Sequence, residues 1–144
     1  MLNECNSVTI FCRSGATYGI KYLLKKYIGL DKNQINKIIL DQISNNNYIQ
    51  SIIIPVNVIY PMLNSHIEGN FYGKHIDRPM RYLPKSQKYV RCDLSMTVFL
   101  SNPSEYEGGE LELYIDGAIK SIKLPAGHAV TYNTGTPHTV NKVT

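Results

Sequence analysis

A strand–loop–hairpin pattern fills residues 91–124, which read RCDLSMTVFLSNPSEYEGGELELYIDGAIKSIKL. Its first ten residues are rich in β-branched and apolar types and predict one strand. The next nine carry asparagine, proline and glycine, each of which favours a bend, so they predict a loop. Residues 110–115 then alternate, Asp116-Gly117 is typical of a tight hairpin turn, and residues 118–124 return as the partner strand. Short strands with frequent turns in a chain of this size indicate a β-sandwich or a jelly roll.

Further strands are predicted on both sides of this pattern. They cover residues 8–12, 52–60, 129–132 and 138–143, with a corner at Pro125-Ala126-Gly127. Pro55 places the second of these strands at an edge or a bulge, because proline cannot donate to a strand ladder. Residues 61–70 and the Pro79–Tyr89 segment are predicted to be irregular loops.

Two helices are predicted ahead of the β region. Residues 17–28 place apolar side chains at helical spacing, and Gly29 is a typical residue after a last turn. Asp31 is a candidate N-cap for a second helix, with Gln34 in the capping-box position and an isoleucine stripe behind it that Asn45-Asn46-Asn47 ends. We therefore expect one α+β, mainly β domain over residues 1–144. Residues 1–50 form a helical support on one face, and residues 51–144 form the jelly-roll core.

The composition narrows the class of protein. At 144 residues, with 43% hydrophobic and 18% charged residues, the chain is long enough to bury one core. Its net charge is +4, and much of the basic charge lies between Lys74 and Arg91. These residues either form a solvated loop or attract an anionic substrate or cosubstrate. No arginine-rich helix or basic stretch interleaved with aromatics indicates nucleic-acid binding.

The chain also predicts a reducing compartment. Its three cysteines, Cys5, Cys12 and Cys92, form no CxxC pair and leave one over, so a disulfide framework is not expected. The N-terminal residues lack the basic and then apolar regions of a signal peptide. The apolar runs are far shorter than the roughly 18 residues of a membrane span. We expect a cytoplasmic protein with no membrane partner, and the sequence makes no prediction of oligomeric state.

The chemistry is suggested by a short run, Tyr72-Gly73-Lys74-His75-Ile76-Asp77, together with His138. On a strand, His75 and Asp77 leave the same face because they are two residues apart. One more imidazole completes a set of two histidines and one carboxylate. That set, with its remaining coordination positions open, is typical of non-haem Fe(II) oxygenases. The His-x-Asp pattern alone is a weak signal, because such short patterns occur by chance.

Five blocks in the same order make the signal more specific. They are Tyr72-Gly73-x-His75-x-Asp77, residues 91–103 (RCDLSMTVFLSNP), residues 106–111 (YEGGEL), residues 123–127 (KLPAG) and His138-Thr139-Val140. Together they resemble the PKHD-type hydroxylases, a branch of the prolyl 4-hydroxylase-like Fe(II)- and 2-oxoglutarate-dependent dioxygenases. The resemblance is dense from about residue 60 onward and looser before it. It implies a double-stranded β-helix, which is a cupin-like jelly roll, with N-terminal helices on one face and an active site in its mouth.

The resemblance also implies roles for individual residues. It makes His75, Asp77 and His138 the iron ligands and catalytic centre. Tyr60 would reach the tail of the cosubstrate 2-oxoglutarate, and Tyr72 would form an aromatic wall. Thr97, Phe99 and Leu111 would line the cosubstrate pocket, and Val140 would point inward beside the distal histidine. For each residue in this second group, plain core packing is the alternative.

For four other polar residues and a glycine pair we expect surface, supporting or backbone roles. We expect His66 to be solvated in its loop and His128 to lie at the surface. Asp93 and Glu110 are expected either to orient an imidazole or to be exposed strand residues. Gly108-Gly109 is expected to serve a bend or a close approach of strands.

The chain departs from the family pattern at its end. The resemblance implies a basic residue, well after the distal histidine, that binds the far carboxylate of 2-oxoglutarate, and that position would lie beyond Thr144. Lys142 is only four residues past His138, so Lys123 and Arg91 are the candidate replacements. The N-terminal elements also look abbreviated, so we expect a clipped or naturally short form.

Two functional hypotheses follow. The first is a dioxygenase that uses Fe(II), O₂ and 2-oxoglutarate, with ascorbate as a further expected cofactor. It would hydroxylate a peptidyl or amino-acid-like substrate, with proline as one candidate, and release succinate and CO₂. The second is a catalytically silent, metal-binding jelly-roll module.

Overall fold

The structure is a computed structural model that describes residues 4–12, 32–59, 61–84 and 86–144. Within these ranges the strands are β1 (Glu4–Cys12), β2 (Met62–Ile67), β3 (Tyr72–His75), β4 (Met80–Leu83), β5 (Lys88–Arg91), β6 (Leu94–Phe99), β7 (Leu111–Ile115), β8 (Ala118–Ile122), β9 (Ala129–Asn133) and β10 (His138–Val140). The helices are α1 (Lys32–Asn45) and α2 (Asn47–Ile52), with a short 3₁₀ turn at Pro103–Glu105. The helix predicted over residues 17–28 and the N-cap predicted at Asp31 lie outside the described residues.

Two four-stranded sheets form the body of the fold. The first has the order β2-β1-β6-β9 and the second β3-β10-β7-β8, and every pairing within them is antiparallel. The sheets remain open at their edges. This architecture, strand-rich with helices on one side, confirms the predicted jelly-roll class. None of the described helices is both long and apolar enough to cross a membrane.

Strand β6 lies between the helices and the interior of the fold, and all of its residues are buried. Leu94, Met96 and Val98 pack against isoleucines of the helical segment, which are Ile39, Ile43, Ile49 and Ile53. Because side chains alternate along a strand, the intervening Ser95, Thr97 and Phe99 face the other way, toward the second sheet. This packing confirms the prediction of helices covering one face.

The strand predicted over residues 52–60 is wrong for the part that the structure describes. Helix α2 ends at Ile52 with Ile53 as its C-cap, and the rest of the segment up to residue 59 belongs to no strand. Asn46 caps this helix by accepting a hydrogen bond from the Ile49 amide (3.1 Å). Ile49 and Ile53 then bury against β6. The β-branched composition suggested a strand, but packing against the sheet overrides that weak local preference.

The loop predicted over residues 61–70 instead contains β2, which pairs with β1 at the edge of the first sheet. Along β2 the side chains of Asn64 and His66 are half-buried, whereas Met62, Leu63, Ser65 and Ile67 are exposed. The inward-facing residues are polar because this strand borders a cavity rather than the apolar core. The sequence therefore lacks the apolar alternation by which a half-buried strand is recognised.

The loop predicted over Pro79–Tyr89 contains a hairpin of β4 and β5, in which Tyr82 lies opposite Tyr89. Arg91 belongs to this hairpin, so the strand predicted over residues 91–100 begins only at Leu94. The two prolines that favoured a loop flank strand β4 rather than interrupt it, a position at which proline removes no ladder hydrogen bond.

Two turn predictions are confirmed. Asp116 and Gly117 have φ values of 50° and 77° and join Ile115 to its partner Ala118, as a two-residue hairpin turn requires. Gly108 serves a close approach of backbones, because a Cβ at this position would overlap the carbonyl oxygen of Lys142. Gly109 donates its amide hydrogen to the same carbonyl (3.2 Å), so this glycine pair holds the last described residues against β7.

Candidate metal centre

The two histidines of the sequence pattern are cross-strand neighbours. His75 ends β3 and His138 begins β10, and the two residues lie directly opposite each other in the ladder. Directly opposed side chains lie close together, and here the ring centroids are 4.2 Å apart. Strand pairing therefore brings together two residues that are 63 positions apart in the chain.

Asp77 completes the group although it lies just beyond the strand. Its amide hydrogen donates to the Thr134 carbonyl (3.2 Å), which fixes the backbone against the turn between β9 and β10. The carboxylate is 3.9 Å from Nε2 of His75 and 3.7 Å from Nε2 of His138. These distances are too long for hydrogen bonds. One donor atom from each residue lies within 4.8 Å of the others, so the group could hold a metal ion.

Backbone carbonyls set the orientation of both imidazoles. Nδ1 of His75 lies 2.8 Å from the Gly73 oxygen, and Nδ1 of His138 lies 2.9 Å from the Thr136 oxygen. A carbonyl oxygen only accepts, so each Nδ1 carries the hydrogen and donates. The neutral rings consequently direct the Nε2 lone pairs toward Asp77, which is the tautomer that a metal requires.

Ser95 orients the carboxylate. Its hydroxyl donates to Oδ2 of Asp77 at 2.6 Å, and the side chain of Asp77 is only 10% exposed. This distance is typical of a strong hydrogen bond between a hydroxyl and a carboxylate. The residue comes from the inward face of β6, so the first sheet supports ligands carried by the second. Sequence reasoning missed Ser95, and the alternation along residues 94–99 was the signal that could have indicated it.

Burial tunes the charge state of the distal histidine. Desolvation lowers the pKa of His138, and His75 acts in the same direction, while the Thr136 carbonyl and the Asp77 carboxylate oppose them. The net lowering favours the neutral ring near neutral pH. A neutral imidazole is the form that can donate a lone pair to a metal.

A cavity of about 110 Å³ opens beside the three residues. Its lining includes five of the six residues predicted to contact the cosubstrate, namely Tyr72, Thr97, Phe99, Leu111 and Val140. The ring of Tyr72 meets that of His75 edge-on at 4.2 Å. The sixth predicted residue, Tyr60, lies outside the described residues. The structure thus brings together every predicted site residue that it describes.

Five further residues line the cavity and were not predicted, namely Met62, Asn64, His66, Gly109 and Tyr132. The first three belong to β2, which the sequence did not reveal as a strand. Tyr132 lies in a predicted strand, but its inward face was not recognised. Its ring is 5.0 Å from that of His138, and its hydroxyl is 3.3 Å from the Thr97 hydroxyl. Burial raises the pKa of Tyr132, so this phenol stays neutral.

The expectation of a solvated His66 is wrong. The side chain is half-buried at the cavity, and desolvation lowers the pKa of His66. His128 lies outside the cavity, with Nδ1 3.1 Å from the Pro125 carbonyl. Asp93 and Glu110 do not supply the partners of the imidazole Nδ1 atoms, since backbone carbonyls do. Asp93 pairs instead with Arg91 (2.8 Å) and Glu110 with Lys123 (3.9 Å).

The candidate replacements for a basic carboxylate clamp lie away from the cavity. Lys123 donates to the Tyr106 carbonyl (2.8 Å) and lies over its ring. Arg91 is on the separate hairpin, and Lys142 is exposed on the chain that packs against Gly108-Gly109. No lysine or arginine is among the described residues that line the cavity.

Comparison with known proteins identifies the family. A sequence model described as the 2OG-Fe(II) oxygenase superfamily matches residues 61–144, which is more than half of the chain. A PKHD-type hydroxylase of Paracoccus denitrificans is 36% identical over 114 residues, covering 79% of this chain and 50% of the relative. PKHD-type hydroxylases of Gluconacetobacter diazotrophicus and Saccharophagus degradans are 39% and 38% identical over 111 residues. Each of these two alignments covers 77% of this chain and 49% of the relative.

The chain spans about half the length of these curated relatives. The matched part begins at Pro61 and contains every member of the His-Asp-His group as well as the described cavity lining. The fold, the convergent ligands and the sequence match agree, and this chain belongs to the 2OG-Fe(II) oxygenase superfamily.

Proposed function

We propose that this chain carries the metal centre of a 2-oxoglutarate-dependent hydroxylase. His75 and His138 would bind Fe(II) through Nε2, and Asp77 would bind it through its carboxylate. The observation that carries the proposal is the convergence of these three donors with both imidazole tautomers already set by backbone carbonyls. The donor set, two nitrogens and one oxygen with further positions open, fits Fe(II) in this class of oxygenase.

The bound metal would supply oxidising chemistry, in which O₂ and 2-oxoglutarate convert a substrate C–H bond into C–OH with succinate and CO₂ as co-products. The residues of this chain hold the ligands and shape the surroundings. Ser95 holds the Asp77 carboxylate in place through its hydrogen bond. Phe99, Leu111 and Val140 give one side of the cavity an apolar wall that limits access of water.

The cavity beside the ligands is the proposed cosubstrate site. Thr97 and the apolar wall would contact 2-oxoglutarate, with Tyr72 at the mouth and Tyr60 as a further proposed contact. The hydroxyls of Thr97 and Tyr132 are hydrogen-bonding groups inside the cavity, and Asn64 and His66 add polar groups from β2. With the Tyr72 hydroxyl, these side chains are the described polar groups of the cavity lining that are available to a carboxylate once the three metal ligands are set apart.

The finer assignments rest on the resemblance. We propose a peptidyl or amino-acid-like substrate, with proline as one candidate, and ascorbate as a further cofactor. The PKHD-type hydroxylase relatives are named for hydroxylation, which supports this reaction class. We also propose that residues 1–144 act as one domain in the cytoplasm, where the free, buried thiol of Cys92 and an Fe(II) centre would both suit a reducing environment.

One observation favours a second candidate, a metal-binding module without turnover. Among the described residues that line the cavity none is a lysine or an arginine, whereas a carboxylate of 2-oxoglutarate is bound best by a charged donor. Such a module would bind metal through the same three residues but hold the cosubstrate too weakly for catalysis.

An anaerobic titration with Fe(II) and then 2-oxoglutarate separates the two candidates. A hydroxylase gives a weak visible charge-transfer band as the oxo acid chelates the metal, and it forms succinate on exposure to air. Absence of both signals at millimolar cosubstrate, with iron bound, would establish the silent module instead.

The ligand assignment has its own test. We predict that His138→Ala loses tightly bound iron, because the distal histidine supplies one of the three protein donors. His128→Ala is the matched control, since that histidine lies outside the cavity. Iron content is measured by metal analysis after anaerobic loading and desalting. Equal iron in His138→Ala and the unchanged chain would refute the assignment.

A further inference from the structure

Strand β2 forms a polar wall of the cavity. It lies at an edge of the first sheet, where it pairs with β1. Asn64 and His66 are two residues apart, so they leave the same face of the strand, and both line the cavity with half-buried side chains. The proposed histidine ligands belong to the second sheet, on β3 and β10. His66 therefore faces the cavity from the opposite sheet and borders the space beside the proposed metal.

The cavity offers few groups that can carry a positive charge. No lysine or arginine occurs among its described lining residues. Apart from the two histidines proposed to bind the metal, His66 is the one described lining residue that can gain a proton and become a cation. The other polar groups beside the metal ligands are an amide and three hydroxyls, which supply hydrogen bonds but no positive charge.

A bound 2-oxoglutarate would bring a second carboxylate into this space. One of its carboxylates chelates the metal together with the oxo group, and the other projects away from the metal into the cavity. A carboxylate that leaves water without a charged partner is strongly destabilised. A hydrogen bond from a cation to a carboxylate is roughly twice as strong as one between neutral groups. The far carboxylate is therefore held best by the side chain that can become a cation.

The empty cavity keeps His66 neutral near neutral pH, because burial lowers the pKa of this imidazole. On the paired strand β1, the ladder places Cys5 opposite His66 and Glu4 next to it. Asp77 carries the one carboxylate of the described lining, and the metal would neutralise it. The titratable side chains that face the cavity from the other elements are Tyr72, His75, Asp77, Tyr132 and His138.

We propose that His66 binds the far carboxylate of 2-oxoglutarate as an imidazolium, so that the cosubstrate enters the cavity together with a proton. This inference rests on the proposed hydroxylase function and adds the residue that replaces a lysine or arginine clamp. The proton comes from solvent and returns to solvent when the carboxylate leaves as part of succinate. The amide of Asn64, on the same face of β2, would donate a second hydrogen bond to the carboxylate.

Cosubstrate binding then depends on pH in a defined direction. A carboxylate beside His66 raises the pKa of the imidazole, because an opposite charge favours the protonated form. In mildly alkaline solution the free imidazole is neutral, so the complex must take up a proton. This uptake becomes easier as the pH falls toward the ordinary histidine pKa. The affinity for 2-oxoglutarate should therefore rise as the pH falls, by up to about tenfold for each pH unit.

The experiment compares two oxo acids on the Mn(II)-loaded protein, so that it needs no turnover. 2-Oxoglutarate and 2-oxovalerate chelate a metal through the same 2-oxo acid group, but 2-oxovalerate has a methyl group in place of the far carboxylate. Isothermal titration calorimetry in buffers of different ionisation enthalpy gives the affinity and the proton uptake. We expect 2-oxoglutarate to take up more protons than 2-oxovalerate, with a difference of up to about one proton. Proton changes at the metal itself cancel in this difference.

Variants of the histidine identify the group that takes up the proton. His66→Gln keeps a hydrogen-bonding side chain that cannot become a cation. It should weaken 2-oxoglutarate binding about tenfold, leave 2-oxovalerate binding unchanged and abolish the difference in proton uptake. His66→Lys supplies a permanent charge, so it should keep the preference for 2-oxoglutarate and lose the proton uptake. His128→Gln, outside the cavity, is the control and should bind both acids as the unchanged protein does.

The outcomes separate this inference from the function on which it rests. Equal losses of affinity for the two acids in His66→Gln, or equal proton uptake with both acids in the unchanged protein, overturn the role of His66 and leave the hydroxylase function standing. No binding of either acid to the Mn(II)-loaded protein overturns both. A preference for 2-oxoglutarate that depends on His66, without succinate formation by the Fe(II)-loaded protein in air, supports the role of His66 and counts against the hydroxylase.

Discussion

The three proposed ligands depend on neighbours of two kinds. The Gly73 and Thr136 carbonyls each lie two residues before the histidine that they orient, so local chain geometry supplies them. The Ser95 hydroxyl comes from 18 residues past Asp77 and depends on how β6 packs in the fold. The local supports require no particular side chain. The distant support does, and it is therefore the one that a substitution can remove.

We predict that Ser95→Ala weakens Fe(II) binding by about 10–100-fold, the usual loss when a partner of a metal ligand is removed. The substitution leaves the Asp77 carboxylate in place but free to turn. Competition with a chromophoric chelator under anaerobic conditions measures the affinity. Ser101→Ala is the control, because Ser101 is also buried but lies beyond the end of β6, the strand that carries Ser95. Equal loss in both variants would show that Ser95 acts through packing rather than through Asp77.

The half-buried His66 and the buried His138 make the stability of the protein depend on pH. Burial lowers the pKa of His66 and of His138 below the ordinary value of 6.5. The unfolded chain then binds protons more readily than the folded chain as pH falls below 6.5. We predict that the two histidines leave the free energy of unfolding of the metal-free protein unchanged above pH 6.5. Below pH 6.5 they should lower it progressively as the pH falls.

Urea unfolding at pH 7.5 and 5.5 measures this loss, and His66→Gln should reduce it because one of the two groups no longer titrates. His128→Gln is the control at a histidine outside the cavity. A loss of stability that His66→Gln leaves unchanged would show that His66 is not responsible.

The residues proposed to bind the metal were the most predictable part of the site. His75, Asp77 and His138 stand out because few other residue types can bind iron, and the family blocks place the wall residues around them. Asn64, His66 and Tyr132 could not be found in this way. Each is a common polar or aromatic residue whose importance arises only from the face of the strand on which it lies.

At the scale of elements, β6 connects the core to the site. One side of the strand packs on the helices, and the other presents Ser95, Thr97 and Phe99 to the ligands and the cavity. The helices therefore contribute to the site indirectly, by fixing the strand that holds Ser95. This explains why a segment without catalytic residue types contributes to the proposed function.

We predict that Met96→Ala lowers the free energy of unfolding by about 2–5 kcal/mol, the range for truncating a fully buried large side chain. Met96 is 1% exposed and sits in the cluster that joins β6 to the helices. Urea denaturation measures the change. Met80→Ala, at an exposed position on the hairpin, is the matched control and should change the stability by less than about 0.5 kcal/mol. Similar losses in the two variants would contradict the assigned core.

The elements that sequence reasoning missed share a physical cause. Helix α2 contains Ile49 and is capped by Ile53, and both isoleucines bury at helical spacing, so tertiary packing overrides their local β preference. Strand β2 turns polar residues inward, because its inner side borders a cavity. Strand β4 lies between prolines, which mark bends but also tolerate strand ends. By contrast, the Asp116-Gly117 hairpin was predictable because the turn type dictates its residues.

For the whole molecule, the fold class was predictable because turn spacing and family blocks both indicate a jelly roll. The pairing of the sheets was not, since strand order depends on contacts between distant residues. Strand β1 shows this well. It lies before the matched residues 61–144, yet it pairs with both β2 and β6 inside the first sheet. Strand β1 therefore belongs to the same sheet as β2, β6 and β9 of the matched region.

The proposed hydroxylase function depends on three donors meeting at one metal between the sheets. The most direct measurement is the anomalous difference density of crystals grown anaerobically with Mn(II), as a redox-stable substitute for Fe(II), and 2-oxoglutarate. We predict one peak bonded to Nε2 of His75, the Asp77 carboxylate and Nε2 of His138, with the oxo acid in the adjoining cavity. A fully occupied metal bound elsewhere, with the His138 ring turned away from the other two residues, would contradict the account.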